Sequence, residues 1–541
     1  MPSSSSSSAT KGFLMLGFLA LLAEPAAAKK LDELTWLVVF AAFFAFFTAF
    51  GIGANDVANA YATSVGAKSL TIYQAVVLAA IFEFAGAVLL GGQVSETVRK
   101  GIADASCFEE NPGLLMWGMT CVILATGGWL LLASYLEMPV STTHSCIGGI
   151  IGMTMMSRGA DCVLWHEDSD TFPFAKGVTA IVISWVLSPV ASGICGALLY
   201  AFTWVTVLRY PPDISFRNSK FFFPILVGFT FGLNIVLMIL KGAKGKKEEL
   251  GTDDMIAAAK EGDIGPAAAV GGYFALGSAF LVALAVPTLA KRALASAEVI
   301  NNEAKVSAEG TKTPLEEGAT GKKNEMTAAE YIKQQLEADP HAVLDNDAVA
   351  KGIHDHVKHH DTATEEMFKY VQIFTAIVDS FSHGANDVAN AMGPFAAVYA
   401  TYSNGYVNTG KEDMGDDMYW ILAIGGAGIV LGLGTYGYKI MEAIGVKLIA
   451  VTPSRGYCIE LGAAFVIIYG TTQGWPLSTT HCQVGATVGV GLFEGSEGVN
   501  KWVLIKCVVG WVATLAIVGF TAAVLVGPSP DPDKSLYCAT D

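Results

Sequence analysis

Apolar runs recur along the whole chain, parted by short polar breaks, and their lengths set its class. Read with allowance for interrupted helices, they fall at 34–53, 72–92, 114–136, 139–156, 177–208, 221–240, 266–290, 369–400, 418–438, 457–473, 476–493 and 502–527. Stretches such as Val178–Leu208 and Phe221–Leu240 reach the roughly 20 residues a helix needs to cross a bilayer. The pattern predicts an all-α polytopic membrane protein of about twelve transmembrane segments. Within 114–156 and 457–493 the polar breaks are short, so each pair is expected to form a helical hairpin.

Composition agrees with this reading. The 541 residues are 52% hydrophobic and 15% charged, with a mean hydropathy of +0.48, whereas soluble domains carry about 25% charged residues. The net charge of −16 lies mostly in hydrophilic loops. No basic surface for nucleic acid is evident. At the start, Lys11, the apolar Gly12–Ala23 and the small residues Ala26-Ala27-Ala28 have the layout of a secretory signal peptide over 1–30, an uncleaved short helix being the alternative. The nine cysteines contain no C-x-x-C pair, which argues against a zinc or redox site. Cys107 and Cys162 fall in expected outer loops, where a disulfide is an option that sequence leaves open.

Two short polar words occur twice in the apolar sequence, in the same order. Gly-Ala-Asn-Asp-Val-Ala-Asn-Ala stands at Gly53–Ala60 and at Gly384–Ala391. Pro139-Val140-Ser141-Thr142-Thr143-His144 is echoed by Pro476-Leu477-Ser478-Thr479-Thr480-His481, with Ser141 85 residues after Asp56 and Ser478 91 after Asp387. The chain is therefore an internal duplication. It divides into a signal peptide (1–30), a first membrane repeat (31–208), connecting spans (209–292), a hydrophilic cytoplasmic loop (293–368), a second repeat (369–527) and a C-terminal tail (528–541). Lys and Arg in short loops place Lys68, Arg209, Arg217, Lys220, Lys291, Arg292, Lys439, Lys447, Arg455 and Lys501 inside, against exceptions at Arg99, Lys100 and in 241–266. With both termini outside, the two copies of each word run in opposite directions: inverted-topology repeats with broken helices, as in many secondary transporters.

The words carry oxygen chemistry. Asn55, Asp56, Asn59, Asn386, Asp387 and Asn390 offer carboxylate and amide oxygens suited to a small alkali cation, with Gly53 and Gly384 letting the helix break. Helix capping is the plainer alternative. Pro139 and Pro476 suit a first helical turn, which places Ser141, Thr142, Thr143, Ser478, Thr479 and Thr480 beside free N–H groups, a site for a tetrahedral oxyanion. The plainer alternative there is hydroxyls bonding back to their own helix. His144, His481, Glu83 and Glu460 are possible accessory groups, in binding or proton transfer or as structural contacts. Arg455 is expected at a membrane face. His354, His356, His359 and His360 cluster in the hydrophilic loop, where solvated histidines are expected rather than a metal site.

These paired words, the second preceded by Phe381-Ser382-His383, resemble the PiT family of inorganic phosphate transporters across both repeats. Thr63-Ser64-Val65-Gly66 and the long middle loop resemble its eukaryotic, sodium-coupled branch. The resemblance implies Na⁺–phosphate symport, an outward N-terminus and substrate held near the repeat interface. By it, the Asn-Asp words match the family's ion-binding words and the Ser-Thr-Thr words its phosphate-binding words. The copies differ after the first word, Tyr61 against Met392-Gly393-Pro394, so the two sides need not be equivalent. The expectation is a secondary active symporter, not an enzyme, with no cofactor beyond Na⁺ as coupling ion. Its partners are inorganic phosphate, Na⁺ and the lipid bilayer, a homo-oligomer is compatible, and the plasma membrane is its expected location. Proton coupling, sulfate as substrate and a non-transporting phosphate sensor are the alternatives. An intramembrane hydrolase built on Ser141 or Ser478 is disfavoured, since the serines are duplicated and the aspartates remote in sequence.

Overall fold

The computed structural model describes residues 31–100, 102–169, 172, 174–242, 265–308, 327–408, 419–472 and 477–528. The signal peptide, nearly all of the C-terminal tail, Pro476 and the side chain of Asn59 lie outside the described residues. What is described is almost entirely helical, with one two-residue hairpin, Glu167–Asp168 paired with Ala175–Lys176. Among the described residues, eight helices are long and apolar enough to cross a membrane.

The first repeat comprises α1 (Thr35–Ile52), a π-turn (Gly53–Val57) running into α2 (Ala58–Gly66), α3 (Ile72–Lys100), α4 (Pro112–Tyr135), α5 (Thr142–Arg158) and α6 (Val178–Thr203). The connecting helices are α7 (Pro212–Gly242) and α8 (Gly265–Ala308), then the short α9 (Ala328–Leu336) and α10 (Ala348–His356). The second repeat comprises α11 (Thr362–Asn404), α12 (Tyr419–Tyr436), α13 (Tyr438–Glu442), α14 (Pro453–Thr472), α15 (Thr479–Gly491) and α16 (Lys501–Val526). Twelve expected segments thus all contain helix, but α5 and α15, which follow the Ser-Thr-Thr words, are only 17 and 13 residues long. Such half-length helices are tolerated at membrane depth because they are buried in protein rather than in lipid.

The halves interlock with approximate two-fold symmetry. A Cβ at Gly86 would fall 2.0 Å from the Phe381 carbonyl oxygen, and one at Gly91 would meet Val388, so α3 and α11 run parallel. Likewise Gly432 meets Phe50 and Gly428 meets Phe46, so α12 runs parallel to α1. Phe50 and Phe381 occupy the same place, three residues before the two polar words. Since α3 turns back after α2, α11 must run opposite to α1. The repeats are inverted. The short helices are exchanged in the same way: α5 packs on α16 through Gly148 and Gly152, and α15 packs on α6 through Gly485 and Gly489. Small residues at these crossings let backbones touch, where dispersion, not hydrophobic exclusion, holds membrane helices together.

Two expectations need correction. Neither polar word breaks its helix: the first widens it into a π-turn while the backbone stays helical, and the second leaves it regular. Gly384 lies inside the uninterrupted α11, where its missing side chain admits the Glu83 carbonyl to a position 2.1 Å from any Cβ. The histidine cluster of the hydrophilic loop is not wholly solvated either: His354 and His360 are partly buried against the membrane helices, while His356 and His359 are exposed. Elsewhere, Cys107 and Cys162 do form a disulfide, closing the loop before α4 onto the loop after α5.

Candidate functional site

The site lies where the π-turn, the middle of α11 and the starts of α5 and α15 meet. Ser141 and Ser478 cap α5 and α15 by accepting the His144 and His481 backbone N–H groups at 3.2 and 3.3 Å. Each serine oxygen thus accepts within its own helix, which leaves the hydroxyl its own proton to donate. The plainer alternative, hydroxyls bonding back to their own helix, does not hold for the threonines. Thr142 donates to Asp56 Oδ2 at 2.8 Å, and Thr480, from the other repeat, donates to Asp56 Oδ1 at 2.6 Å. Thr479 donates to Asp387 Oδ2 at 3.1 Å, and Asn390 donates to the Thr142 and Thr143 hydroxyls at 3.0 and 3.2 Å. Both aspartates are buried. A carboxylate removed from water is held by donors aimed at it, each charge-assisted bond contributing about 1.5–3 kcal/mol.

Three of the sequence candidates make their contacts away from the paired aspartates. Asn55 faces away from the aspartates: it bonds Ser134 Oγ and the Met138 carbonyl and accepts the Val140 N–H, fixing the extended link ahead of α5. Glu460 stands apart, its carboxylate ringed by the hydroxyls of Thr63 (2.5 Å), Ser64 (3.0 Å) and Thr375. Arg455 is fully buried at the end of α14, paired with Glu494 and bonded to the Lys358 carbonyl. His144 and His481 meet each other, ring centroids 4.8 Å apart, each also against a tryptophan, Trp185 or Trp511. Among the described residues neither ring has a hydrogen-bond partner.

His383 was not among the candidates, yet it is the hub. Its Nδ1 lies 2.6 Å from Glu83 Oε1, and its Nε2 lies 2.6 Å from Asp387 Oδ2 and 3.8 Å from Asp56 Oδ1. The Nε2 contacts lack hydrogen-bond alignment, so they are electrostatic. The signal was in the sequence: the first repeat has Ile52 where the second has His383, a departure from the duplication at the edge of a polar word. Asp56, His383 and Asp387 bring their ligand atoms within 4.8 Å of one another. Carboxylates with threonine hydroxyls and an amide suit a hard cation, while the imidazole does not add to that set. A cavity opens beside them, lined by Asp379, Ser382, Asn386, Thr479 and Gln483.

Inverted repeats that bury one polar site between them, with short helices pointing into it, define a polytopic membrane transporter. The model of the phosphate transporter family matches residues 52–522. The chain is 32% identical to the phosphate-repressible phosphate permease pho-4 of Neurospora crassa, over 92% of this chain and 98% of that one. It is 31% identical to a predicted phosphate permease of Pyrococcus abyssi, over 88% and 94%. A solved structure described as the sodium-dependent phosphate transporter superposes with a TM-score of 0.67 at 31% identity, covering 91% of this chain and 98% of that one. The chain belongs to the phosphate transporter family. Its relatives are permeases rather than enzymes.

Proposed function

We propose that this protein is a secondary active symporter that moves inorganic phosphate, coupled to Na⁺, by alternating access of its two repeats. The observation that carries the reading is that Asp56 accepts hydroxyls from both repeats, Thr142 and Thr480. The same threonine hydroxyls are the ones a phosphate would require at the starts of α5 and α15, beside helix N–H groups that favour anions. The same hydroxyls bond the aspartates. Na⁺ at Asp56 and Asp387, with Asn386 and Asn390 nearby, neutralises those carboxylates and frees Thr142, Thr479 and Thr480 to turn to phosphate. Ser141, Thr143 and Ser478 complete the oxyanion set. Cation and anion binding are then coupled through shared donors, in the range of roughly 1–3 kcal/mol typical of linked sites. The similarity to a sodium-dependent phosphate transporter supports Na⁺ as the ion.

A second reading, proton coupling, is favoured by His383, whose imidazole lies among three carboxylates and can hold a positive charge without Na⁺. We place the protein in the plasma membrane with both termini on the outer face, the domain limits being those given by the sequence. Purified protein in liposomes decides between the ions. A Na⁺ gradient is expected to drive labelled phosphate uptake that excess sulfate does not suppress. Uptake driven only by a pH gradient would replace Na⁺ with H⁺, and phosphate binding without flux would make the protein a sensor.

A further inference from the structure

The hydrophilic segment between the repeats folds back onto the membrane body at one particular place. Gly66, the last residue of α2, and Gly445, in the π-turn after α13, lie backbone to backbone. A Cβ at Gly66 would fall 2.0 Å from the Gly445 carbonyl oxygen, and one at Gly445 would fall 2.1 Å from that of Ala62. This is a crossing between the first and second repeats, and carbonyls at helix ends lack partners within their own helix. His341 and His354 supply them. His341 Nε2 stands 3.0 Å from the Gly66 carbonyl oxygen and His354 Nε2 3.0 Å from that of Val446, with the two rings in edge contact at 6.2 Å. The surrounding contacts are apolar but few: Ile353 and Val357 bury against Ala450, and Leu336 and Ala338 lie on the main core. His360 Nε2 reaches the Tyr200 hydroxyl at 3.3 Å, and His356 lies 3.6 Å from Glu497.

We infer that residues 327–361 are a releasable clasp: His341 and His354 tie the two repeats together on the loop-bearing face, and acid lets them go. Alternating access requires the repeats to shift against each other, and a small docked unit with a thin apolar contact is the kind of element that opens locally. The charges facing the rings are of both signs, so burial rather than charge makes a proton unwelcome. His341 faces Lys68, Asp339 and His354, while His354 faces Lys68, Asp355 and His359. His360 faces Arg455, Lys358, His359 and Glu494. Lys447, beside Val446, is taken up by Glu442 and Glu137. Burial, first of all, lowers the pKa of His341, His354 and His360, the last to about 4. Groups whose docked pKa is lowered favour docking when neutral. Docking is therefore fully supported above the free-histidine value near 6.5 and is lost as pH falls below it, for His360 toward about 4.

The gating half of this inference rests on the transport reading, and the acid-release half does not. Hydrogen exchange over 348–357 in the full-length protein in liposomes, corrected for intrinsic rates, tests release at pH 7.5 and 5.5. Exchange is expected to rise about tenfold on acidification in the wild type. It should change little in His341→Gln/His354→Gln/His360→Gln, which keeps an N–H donor at each place but does not titrate there, and should be fast at both pH values in His341→Ala/His354→Ala. Wild-type exchange indifferent to pH, or a glutamine variant that tracks it, overturns acid release. The alanine variant should raise maximal phosphate flux at pH 7.5 by about threefold with half-saturation unchanged. Unchanged or reduced flux in a folded variant overturns gating. Should the alanine variant misfold, flux against pH on the loop side decides, since acid is expected to stimulate the wild type and not the glutamine variant. Absence of any phosphate flux in the wild type refutes the transport reading and the gating with it, while the exchange result still decides release.

Discussion

Thr480 from the second repeat donates its hydroxyl to Asp56 of the first across 2.6 Å, so each half of the chain completes the other's polar site. Thr480→Ala removes a charge-assisted bond of about 1.5–3 kcal/mol. If the hydroxyl also serves phosphate, both Na⁺ and phosphate half-saturation should rise in Thr480→Ala and recover in Thr480→Ser. Recovery in neither would separate Thr480 from substrate binding.

The aspartates themselves should be indispensable. Asp56→Asn and Asp387→Asn keep size and hydrogen bonding but remove the charge that draws a cation. Na⁺-driven uptake is expected to fall about 100-fold, the upper range of coupling free energies, with protein still correctly folded by gel filtration. Wild-type uptake in either variant would sink the cation assignment.

At Gly384 the expected defect is one of packing. Its Cβ would lie 2.1 Å from the Glu83 carbonyl oxygen, and backbone cannot retreat as a flexible side chain would. Gly384→Ala should therefore cost about 1–3 kcal/mol, read as a lowered melting temperature in detergent. Gly272→Ala, where nothing lies within 4 Å of a Cβ, should leave it unchanged.

Arg455 is 1% exposed on its side chain and paired with Glu494. Removing one partner of a buried pair leaves an uncompensated charge and costs about 3–5 kcal/mol. Arg455→Met should thus destabilise strongly, while Arg455→Met with Glu494→Leu should recover much of the loss. A double variant no better than the single would show that Arg455 acts through Tyr200 and the Lys358 carbonyl instead.

The Cys107–Cys162 bridge closes a loop spanning 55 residues of sequence. By loop-closure entropy its loss is worth about 4 kcal/mol, so Cys107→Ser/Cys162→Ser should melt earlier than the wild type. A melting temperature unaffected by reductant would show that the loop is held by its other contacts.

Much of this was legible in the residues. Duplicated words in apolar sequence gave the inverted repeats, and Thr142, Thr143, Thr479, Thr480, Asp56, Asp387 and Asn390 do converge. His383 was missed because attention to the repeated letters passes over the letter that differs. Spacing along one segment does not tell which neighbour an amide faces; for Asn55 it is the link ahead of α5.

The sequence by itself determined the membrane class, the duplication and the residue types at the site, because hydrophobic length and repeated words are properties of the chain alone. Only the tertiary structure decided which half each contact comes from. Thr480 reaches Asp56, Glu83 reaches His383, and His341 reaches Gly66, because parallel packing of α3 on α11 and of α1 on α12 exchanges the repeats. These contacts span 275 to 424 residues, and their partners are set by where helices cross, which no local pattern encodes.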